Sequence, residues 1–419
     1  MTKSAIIPTP TNSAELSGTY ANIMSALKTV ALGIPSASPV ESQSGVLIET
    51  GSKTVTFTAF DFETSVSVAV SCSTPETSGT SLLSHTQLVK ILGAIVAGET
   101  KTTAAQTAIT LTGDLLTGGG MTIPITAFDP TEFVRPPLPA PAMATVDAGT
   151  FLTQLQRTLP ACGSDYTLPL LCGIELTLTG QTLTLAATDR YRFAVAELPA
   201  APLPAADTET TASAVIPGDV LKRLIPVLKA TTDPLTIGFS PDGGRVTLTT
   251  GQTTISQRAY DGRLPGHRTF FPSRAAVSVS LPRAATTAAL KKCASIATAK
   301  GDRSCPVSFL WDGDGRLTLA PVLPEDQDRA RLTGIHLTHT TEQGDPTVLH
   351  QSGLSFNPHF LADTLAAFSG DTLTLHIPET IKKPDSHNKA LFTDGPDITG
   401  DHYRHLLMGI RLAEGTWAL

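Results

Sequence analysis

The chain has 419 residues, of which 41% are hydrophobic, 16% charged and 5% aromatic, and its formal net charge is −7. A single core usually stops growing at about 250–300 residues, so we expect two or three domains. The acidity excludes a protein that is basic over its whole surface, although a basic stripe within an acidic shell remains compatible with it. Five cysteines without CxxC spacing predict neither a disulfide framework nor a zinc ribbon, and they fit a reducing cytoplasm.

The N-terminal segment gives no sign of export. It contains Pro8 and Pro10 and lacks the apolar core of a signal peptide. No stretch elsewhere approaches the roughly 20 apolar residues of a membrane span. We therefore expect a soluble protein that stays in the cytoplasm, associated with the nucleoid if it binds DNA.

Two amphipathic helices are predicted in each third of the chain. The first helix of each third presents an apolar face, formed by Tyr20, Ile23, Met24 and Leu27, then by Phe151, Leu152, Leu155 and Leu159, then by Leu290, Cys293 and Ile296. The second helix of each third includes residues 89–92, 221–225 and 360–365. If Leu88, Val220 and Phe360 are equivalent, successive second helices are 220 − 88 = 132 and 360 − 220 = 140 residues apart. These spacings are the size of a domain, far longer than the 20–50 residues of a solenoid repeat.

Alternating, threonine-rich strands follow the helices. They are predicted at residues 55–60, 183–188 and 317–320, with turns at 118–120, 241–244 and 312–315. Proline clusters near residues 137–144 and 271–276 mark the boundaries. The sequence therefore predicts an α+β protein with three tandem copies of one module, each with two helices packed on two antiparallel sheets, at residues 1–140, 141–273 and 274–419.

Four segments in order carry a family resemblance over nearly the whole chain. They are residues 183–194 (LTLAATDRYRFA), 260–265 (YDGRLP), 354–361 (LSFNPHFL) and 406–412 (LLMGIRL). On a triplicated chain these segments resemble the bacterial DNA sliding clamp, the beta subunit of DNA polymerase III. A divergent or second copy of such a clamp would fit equally well.

The resemblance implies a head-to-tail homodimeric ring that encircles duplex DNA, with helices around the hole and sheets outside. It also implies an interface between the first module of one chain and the third of another, which we expect near residues 107–111 and 296–299. Such a ring needs basic side chains on its helices for sequence-independent phosphate contacts. The predicted DNA-facing residues are Lys28, Lys90, Arg157, Lys222, Arg223, Lys229, Lys291 and Lys292. For any single one of them, an ordinary solvated helix face is the simpler interpretation.

The resemblance further implies a pocket between the second and third modules that receives short peptides from the replicative polymerase, the clamp loader and repair proteins. Most matching positions are apolar, as a groove for leucine and aromatic anchors requires. They are Leu171, Thr188, Arg190, Tyr191, Arg192, Phe193, Pro265, Phe270, Leu406, Met408, Gly409, Ile410, Arg411 and Leu412. Leu171, Phe270 and Leu412 are equally compatible with a place in the core.

Three departures from the family pattern concern this pocket. The family usually has Gly-His where Arg190 and Tyr191 stand, and proline where Gly409 stands. An extension, residues 413–419, follows Leu412 and includes Trp417. The two substitutions alter the shape and charge of the pocket, so the resemblance does not define which peptides this chain prefers.

No catalytic site or cofactor is predicted. His336-x-x-His339 and His402-x-x-His405 lack a carboxylate partner in an HExxH pattern, so surface or strand histidines are the simpler interpretation. The sequence around Asp312 starts like a calcium loop, but Arg316 stands where an oxygen ligand should be, which favours a plain turn. No GxSxG, Walker A or GxGxxG motif is present.

Two other classes of protein fit the sequence less well than the clamp. A secreted, β-rich carbohydrate-binding or adhesive protein would need an export signal and exposed aromatic residues, and aromatic residues are few. A hydrolase without a known motif would need a converging acid, base or metal cluster. We therefore expect a processivity subunit of a DNA polymerase that is not itself an enzyme.

Overall fold

The computed structural model describes residues 13–37, 40–51, 54–73, 78–204, 211–302, 305–323, 325–329, 331–349, 354–378, 388–400 and 402–412. The predicted extension at residues 413–419 lies outside the described residues. The helices are α1 Tyr20–Val30, α2 His85–Ile95, α3 Lys101–Gln106, α4 Ala148–Thr158, α5 Gly218–Ala230, α6 Arg283–Ala299, α7 Asp326–Arg329 and α8 Pro358–Ala367.

The strands occupy most of the remaining described chain. They are β1 Glu15–Thr19, β2 Gly45–Thr50, β3 Thr54–Phe60, β4 Thr64–Ser71, β5 Gly79–Ser84, β6 Ala108–Thr112, β7 Leu115–Gly118, β8 Met121–Pro124, β9 Ala127–Phe128, β10 Ala142–Val146, β11 Gly173–Thr179, β12 Thr182–Thr188, β13 Arg192–Pro199, β14 Ala201–Pro202, β15 Ala212–Pro217, β16 Leu235–Phe239, β17 Arg245–Thr250, β18 Thr253–Arg258, β19 Ala275–Pro282, β20 Val307–Trp311, β21 Leu317–Pro321, β22 Ile335–Leu337, β23 Thr340–Gln343, β24 Leu354–Phe356, β25 Thr372–Pro378, β26 Lys389–Thr393 and β27 Tyr403–Met408.

All six predicted helices are confirmed, and local signals explain where they start. Asn357 caps α8 by accepting hydrogen bonds from the backbone N–H groups of His359 and Phe360, and Pro358 takes the first helical position. In α1 the predicted apolar residues Ile23, Met24 and Leu27 are buried. Helix α6 starts at Arg283, seven residues before the predicted apolar face that begins at Leu290. The intervening residues are mostly alanine, which favours helix.

The predicted α+β class is confirmed, and by compactness the chain divides into two units. Unit 1 comprises Met1–Ala148, Ala201–Asp207 and Arg223–Ala259, and unit 2 comprises Gly149–Ala200, Thr208–Lys222 and Tyr260–Leu419. Unit 1 contains a ten-stranded sheet, β14-β10-β16-β17-β18-β4-β3-β2-β5-β9, and a four-stranded sheet, β1-β6-β7-β8. Unit 2 contains a nine-stranded sheet, β15-β11-β12-β13-β27-β26-β25-β19-β23, and a four-stranded sheet, β22-β21-β20-β24. The strand pairs are antiparallel.

One order of elements recurs three times along the chain. Each time a strand and a helix are followed by four strands, a second helix and three strands, apart from the short additions α3, α7, β9, β14 and β23. In unit 1 the fourth strand of the first repeat, β4, pairs with β18, the last strand of the second. In unit 2 the corresponding strands β13 and β27 pair in the same way. The boundaries at residues 140 and 273 stay a prediction, because residues 141–273 contribute to both units.

Each long sheet carries an apolar core. In unit 1, Leu47, Phe60, Leu82 and Phe133 form one buried cluster. In unit 2 a buried cluster contains Ala186, Phe193, Val195, Leu391 and Leu406. No helix in the described part of the chain has the length and apolar character needed to cross a membrane.

A buried histidine in unit 2 makes stability depend on pH. Thr393 donates its hydroxyl proton to the Gly395 carbonyl (2.6 Å), so it accepts from Nε2 of His376 (2.7 Å), and Nδ1 of His376 accepts from Ser278 (2.9 Å). The imidazole is therefore held in its neutral form, and burial lowers its pKa to about 4.

Between pH 6.5 and 4 the unfolded chain binds a proton at this position that the folded chain does not bind. We therefore expect the free energy of unfolding to fall as pH falls through this window, by up to about 1.4 kcal/mol per pH unit. His405, whose pKa burial lowers to about 3, adds in the same direction. Urea unfolding at several pH values should show a flatter dependence for His376→Gln than for the wild type. Equal slopes for the two proteins would contradict this assignment.

Candidate functional site

A tight turn between β12 and β13 brings four of the predicted pocket residues together. The carboxylate Oδ1 of Asp189 accepts hydrogen bonds from the backbone N–H groups of Tyr191 (3.0 Å) and Arg192 (2.9 Å). Thr188 donates its hydroxyl proton to the Arg192 carbonyl (2.7 Å). Arg190, between them, has a φ of 81°. The turn is thus fixed by its own side chains, as Asp in such positions commonly does.

Arg192 is a structural cation and not an open charge of the pocket. Its guanidinium binds Asp189 (2.9 Å) and Asp363 of α8 (2.7 Å) and lies 4.4 Å from the ring centroid of Phe360. The residue is buried. Two carboxylates therefore neutralise Arg192, and its removal is expected to loosen the turn. Sequence reasoning missed Asp363 and Phe360 as partners, although their spacing of three places them on one face of a helix.

Aromatic rings form the wall next to this turn. Phe193 is buried, and its ring centroid lies 6.1 Å from that of Phe270 and 5.7 Å from that of Phe271. Its strand partner Leu406 is buried in the same cluster. Tyr191 is 56% exposed and Phe270 41% exposed. The buried pair therefore supports the wall, while Tyr191 and Phe270 are accessible to a ligand.

The end of β27 is held against this wall by the backbone. Met408, which is half-buried, donates its N–H to the Tyr191 carbonyl (2.8 Å). Gly409 then donates to the Asn388 carbonyl (2.5 Å), and Ile410 to the Ser355 carbonyl (2.7 Å). Arg411 is exposed and Leu412 is buried.

Gly409 has a physical reason for departing from the family's proline. A proline has no N–H to donate to Asn388, so the 2.5 Å hydrogen bond would be lost. A Cβ at this position would lie 2.7 Å from the same carbonyl oxygen, closer than real Cβ atoms come to backbone. The glycine therefore lets the backbone at residue 409 approach the backbone of Asn388 in the same chain.

Two predicted pocket residues, Leu171 and Pro265, lie outside the segments described above. Leu171 is half-buried on a 3-10 turn, Pro169–Cys172, and its carbonyl accepts the N–H of Gly163 (2.7 Å). Pro265 is exposed. The structure thus joins Thr188, Tyr191, Phe193, Phe270, Leu406 and Met408 by direct contacts or strand pairing.

Two predicted DNA-facing residues meet in a cleft of unit 1. Lys28 of α1 and Arg223 of α5 both line a cleft of about 510 Å³. Much of its lining consists of hydroxyl-bearing residues, namely Ser25, Thr29, Thr231, Thr232, Thr250 and Thr253. The lining also includes one acidic residue, Asp233. Such a cleft offers cations and hydroxyl donors, the groups that commonly contact phosphate oxygens.

The six long helices carry a net positive charge, although the chain as a whole is acidic. The six long helices hold nine lysine or arginine residues and two acidic residues, whereas the whole chain has 30 basic and 37 acidic residues. Among the predicted DNA-facing residues, the side chains exposed to solvent are those of Lys28, Lys90, Lys222, Arg223, Lys229, Lys291 and Lys292. They lie opposite the buried stripe, as on α5, where Leu221, Leu224 and Leu228 are buried.

Arg157 differs from this set, and the structure corrects its predicted role. Its guanidinium makes two hydrogen bonds of 2.8 Å to the Asp394 carboxylate and one of 2.7 Å to the Ala367 carbonyl. It also lies 4.1 Å from the ring centroid of Tyr403, and its side chain is only 11% exposed. Arg157 is therefore a cation of the protein interior, and helical periodicity could not reveal this because its partners lie more than 200 residues away.

The histidine and aspartate patterns do not assemble into a metal site among the described residues. His405 is buried against the Tyr403 hydroxyl (2.8 Å), whereas His402 is exposed. Asp312 makes the predicted turn, because its carboxylate accepts the N–H groups of Asp314 and Arg316.

Comparisons with known proteins point to one family. The family models for the N-terminal and central domains of the DNA polymerase III beta subunit match residues 16–117 and 145–266. The beta sliding clamp of Streptomyces coelicolor is 27% identical over 398 residues, covering 91% of this chain and 95% of that protein. That of Micrococcus luteus is 28% identical over 284 residues, covering 67% and 86%.

A solved structure shows the same fold. The sliding clamp of Pseudomonas aeruginosa bound to griselimycin superposes with a TM-score of 0.77 at 17% identity, covering 96% of this chain and all of that one. The repeated order of elements and the two domain matches, which together span more than half of the residues, define a DNA clamp. The chain belongs to the bacterial DNA sliding clamp family, the beta subunits of DNA polymerase III.

Proposed function

We propose that this chain is a sliding clamp that encircles duplex DNA as a head-to-tail homodimer and tethers DNA polymerase and repair proteins to it. In this role it acts on the chromosome in the cytoplasm as a processivity subunit, without a reaction or cofactor of its own. Family membership supports the overall role. The secreted carbohydrate-binding alternative receives no support from the comparisons.

The separation of charge carries the proposal for DNA. A chain with a net charge of −7 places nine basic and two acidic residues on its six long helices. In a ring with the helices inside, this arrangement attracts the phosphate backbone and leaves an acidic exterior. Lysine and arginine contacts to phosphate carry no sequence information, which suits a protein that slides.

Free strand edges support ring closure. In the described chain, β8 ends the small sheet of unit 1 and β22 ends that of unit 2. These are the counterparts of β18 and β4, and of β27 and β13, which pair inside the chain. The same pairing between β22 of one chain and β8 of another would join two copies head to tail, and two such junctions would close the ring.

This arrangement moves the predicted dimer contact. Residues 107–111 largely coincide with β6, which pairs with both β1 and β7, so its backbone groups are already used. We therefore propose β8, an edge strand of the same sheet, for strand pairing between chains. The end of α6 near Ile296, which is exposed, stays a proposed part of the same interface.

The pocket in unit 2 supports the tethering role. Accessible Tyr191 and Phe270, a half-buried Met408 and a buried support of Phe193 and Leu406 form an apolar wall with a polar turn beside it. Peptide grooves commonly combine apolar anchoring surfaces with a few fixed polar groups. The site thus fits a short segment with leucine and aromatic anchors.

Retention on circular DNA tests the encircling ring. Once loaded on a nicked circular plasmid by a clamp loader, the protein should co-elute with the DNA in gel filtration at a salt concentration that abolishes simple electrostatic binding. Cutting the plasmid once should release it, because a ring slides off a free end. Blocking both ends with a tightly bound protein should restore retention. Equal retention on circular and open linear DNA would refute the proposed topology.

A further inference from the structure

The turn at the pocket holds an arginine in a backbone conformation that side chains rarely adopt. Arg190 has a φ of 81°, and in the described part of the chain Phe62 is the other non-glycine residue with a positive φ. This conformation costs free energy for any residue with a Cβ, and glycine avoids the cost. Strain of this kind concentrates at binding sites, where the side chain contributes something that glycine cannot.

The surrounding residues hold Arg190 in this conformation before any ligand arrives. Its own N–H donates to the Thr188 hydroxyl oxygen (3.2 Å), and the next two N–H groups donate to Asp189. Arg192 closes the turn through its ion pairs with Asp189 and Asp363. The direction in which Arg190 leaves the backbone is therefore fixed.

Arg190 supplies the open positive charge of this turn. It is exposed, and none of the carboxylates in the described ranges forms an ion pair with it, whereas Arg192 is neutralised by two. The Asp165 carboxylate is near enough for its pKa to be lowered by Arg190, although hydrogen bonds from Thr167 lower it more. Asp165 is thus already engaged by Thr167, at 2.6 Å from its hydroxyl.

The charge lies beside the accessible aromatic surface. The guanidinium carbon of Arg190 is 6.0 Å from the ring centroid of Tyr191, and that ring is 6.1 Å from the ring of Phe360. Tyr191 is bound through its carbonyl to Met408 of the pocket wall. A peptide whose apolar anchor covers Tyr191 would therefore bring its neighbouring residue to Arg190.

We propose that Arg190 selects peptides that carry a carboxylate next to an apolar anchor residue. The inference rests on the proposed peptide pocket and adds the chemical class of its preferred ligand. An arginine pairs with a carboxylate through two parallel hydrogen bonds, and the neighbouring rings partly exclude water from the pair. A neutral amide of the same shape makes a weaker contact.

An aspartate scan tests the selection. Fluorescence anisotropy would measure binding of the full-length chain to synthetic peptides with two leucines and a phenylalanine as anchors. Each remaining position would carry aspartate in one peptide and asparagine in its match. At one position or more, aspartate should bind about fivefold more tightly than asparagine at low salt, since a partly exposed ion pair contributes about that factor. The ratio should fall to about one in Arg190→Gly and in Arg190→Ala, and Arg190→Lys should keep part of it.

Matched variants separate charge from strain. Arg190→Gly removes both, so its thermal midpoint should rise, whereas Arg190→Ala removes the charge and keeps the strained φ. Phe62→Gly is the control, because it relieves the same kind of backbone strain in the turn where Asp61 accepts hydrogen bonds from the backbone N–H groups of Glu63 and Thr64. It should leave the preference for aspartate unchanged. If Arg190→Gly and Arg190→Ala both kept the wild-type preference for aspartate over asparagine, the proposal would be overturned. No binding of any peptide to the wild type would overturn the pocket itself.

Discussion

Replacing Thr122 by proline is expected to turn the homodimer into a monomer. At both internal junctions the last residue of the closing strand donates its N–H across the pair, Arg258 to Glu63 and Met408 to Tyr191. The corresponding residue of β8 is Pro124, which cannot donate. Thr122, two residues earlier on the same side of the strand, therefore supplies the first N–H of the proposed junction.

The effect should be large because the loss is double. Thr122→Pro removes a hydrogen-bond donor from the interface and leaves the partner's carbonyl unpaired. The pyrrolidine ring of the proline also blocks close approach of the two strands. We expect dimer affinity to fall roughly 100-fold or more. Proline is tolerated on an edge strand, so the chain should still fold. Size-exclusion chromatography with light scattering measures the outcome, and Thr122→Val, which keeps the N–H, is the control.

A disulfide crosslink checks the register of the same junction. Thr64 pairs with Gln257 and Arg192 with Leu407, which by equivalence places Ile335 opposite Ile123 and His336 opposite Thr122. Cysteines at positions 122 and 336 should therefore form a covalent dimer on oxidation. Each single variant should stay monomeric on a denaturing gel. A dimer that survives Thr122→Pro, together with no crosslink, would rule out this interface.

Replacing Asp394 by alanine is expected to destabilise unit 2 strongly. The change leaves the guanidinium of Arg157, 11% exposed, without its bidentate carboxylate partner. Breaking a buried ion pair on one side costs about 3–5 kcal/mol, and because Asp394 is itself 29% exposed we expect a loss of roughly 2–3 kcal/mol. Urea unfolding measures it, and Asp394→Asn should lie between alanine and the wild type.

A surface pair provides the matched control. Lys300 and Asp328 are 2.7 Å apart, with side chains 50% and 36% exposed. Asp328→Ala should cost about 1 kcal/mol or less, because water already screens the pair. An equal cost for both variants would mean that Arg157 is not an interior cation. Affinity for duplex DNA, measured where the Asp394 variant is folded, should be unchanged.

Local pattern carried most of what was predicted correctly. The apolar faces of Ile23 and Leu27 or of Leu361 and Leu365 repeat at helical spacing, so the six long helices follow from neighbours in the sequence. The alternating strands and the three-fold order of elements follow for the same reason. The pocket residues came from resemblance, and the structure joined those of β13 and β27 through strand pairing.

Sequence patterns were sufficient to predict the elements, their repetition and the concentration of basic residues on helices, because each depends on spacing along a few turns or strands. The partners of individual charged side chains became visible only in the folded structure. Arg157 and Arg192 look like exposed helix or pocket cations in sequence, yet their carboxylates, Asp394 and Asp363, lie 237 and 171 residues away. Gly409 needed the same information, since its neighbour is the carbonyl of another segment. Such pairings depend on which strands meet, and no local period encodes that.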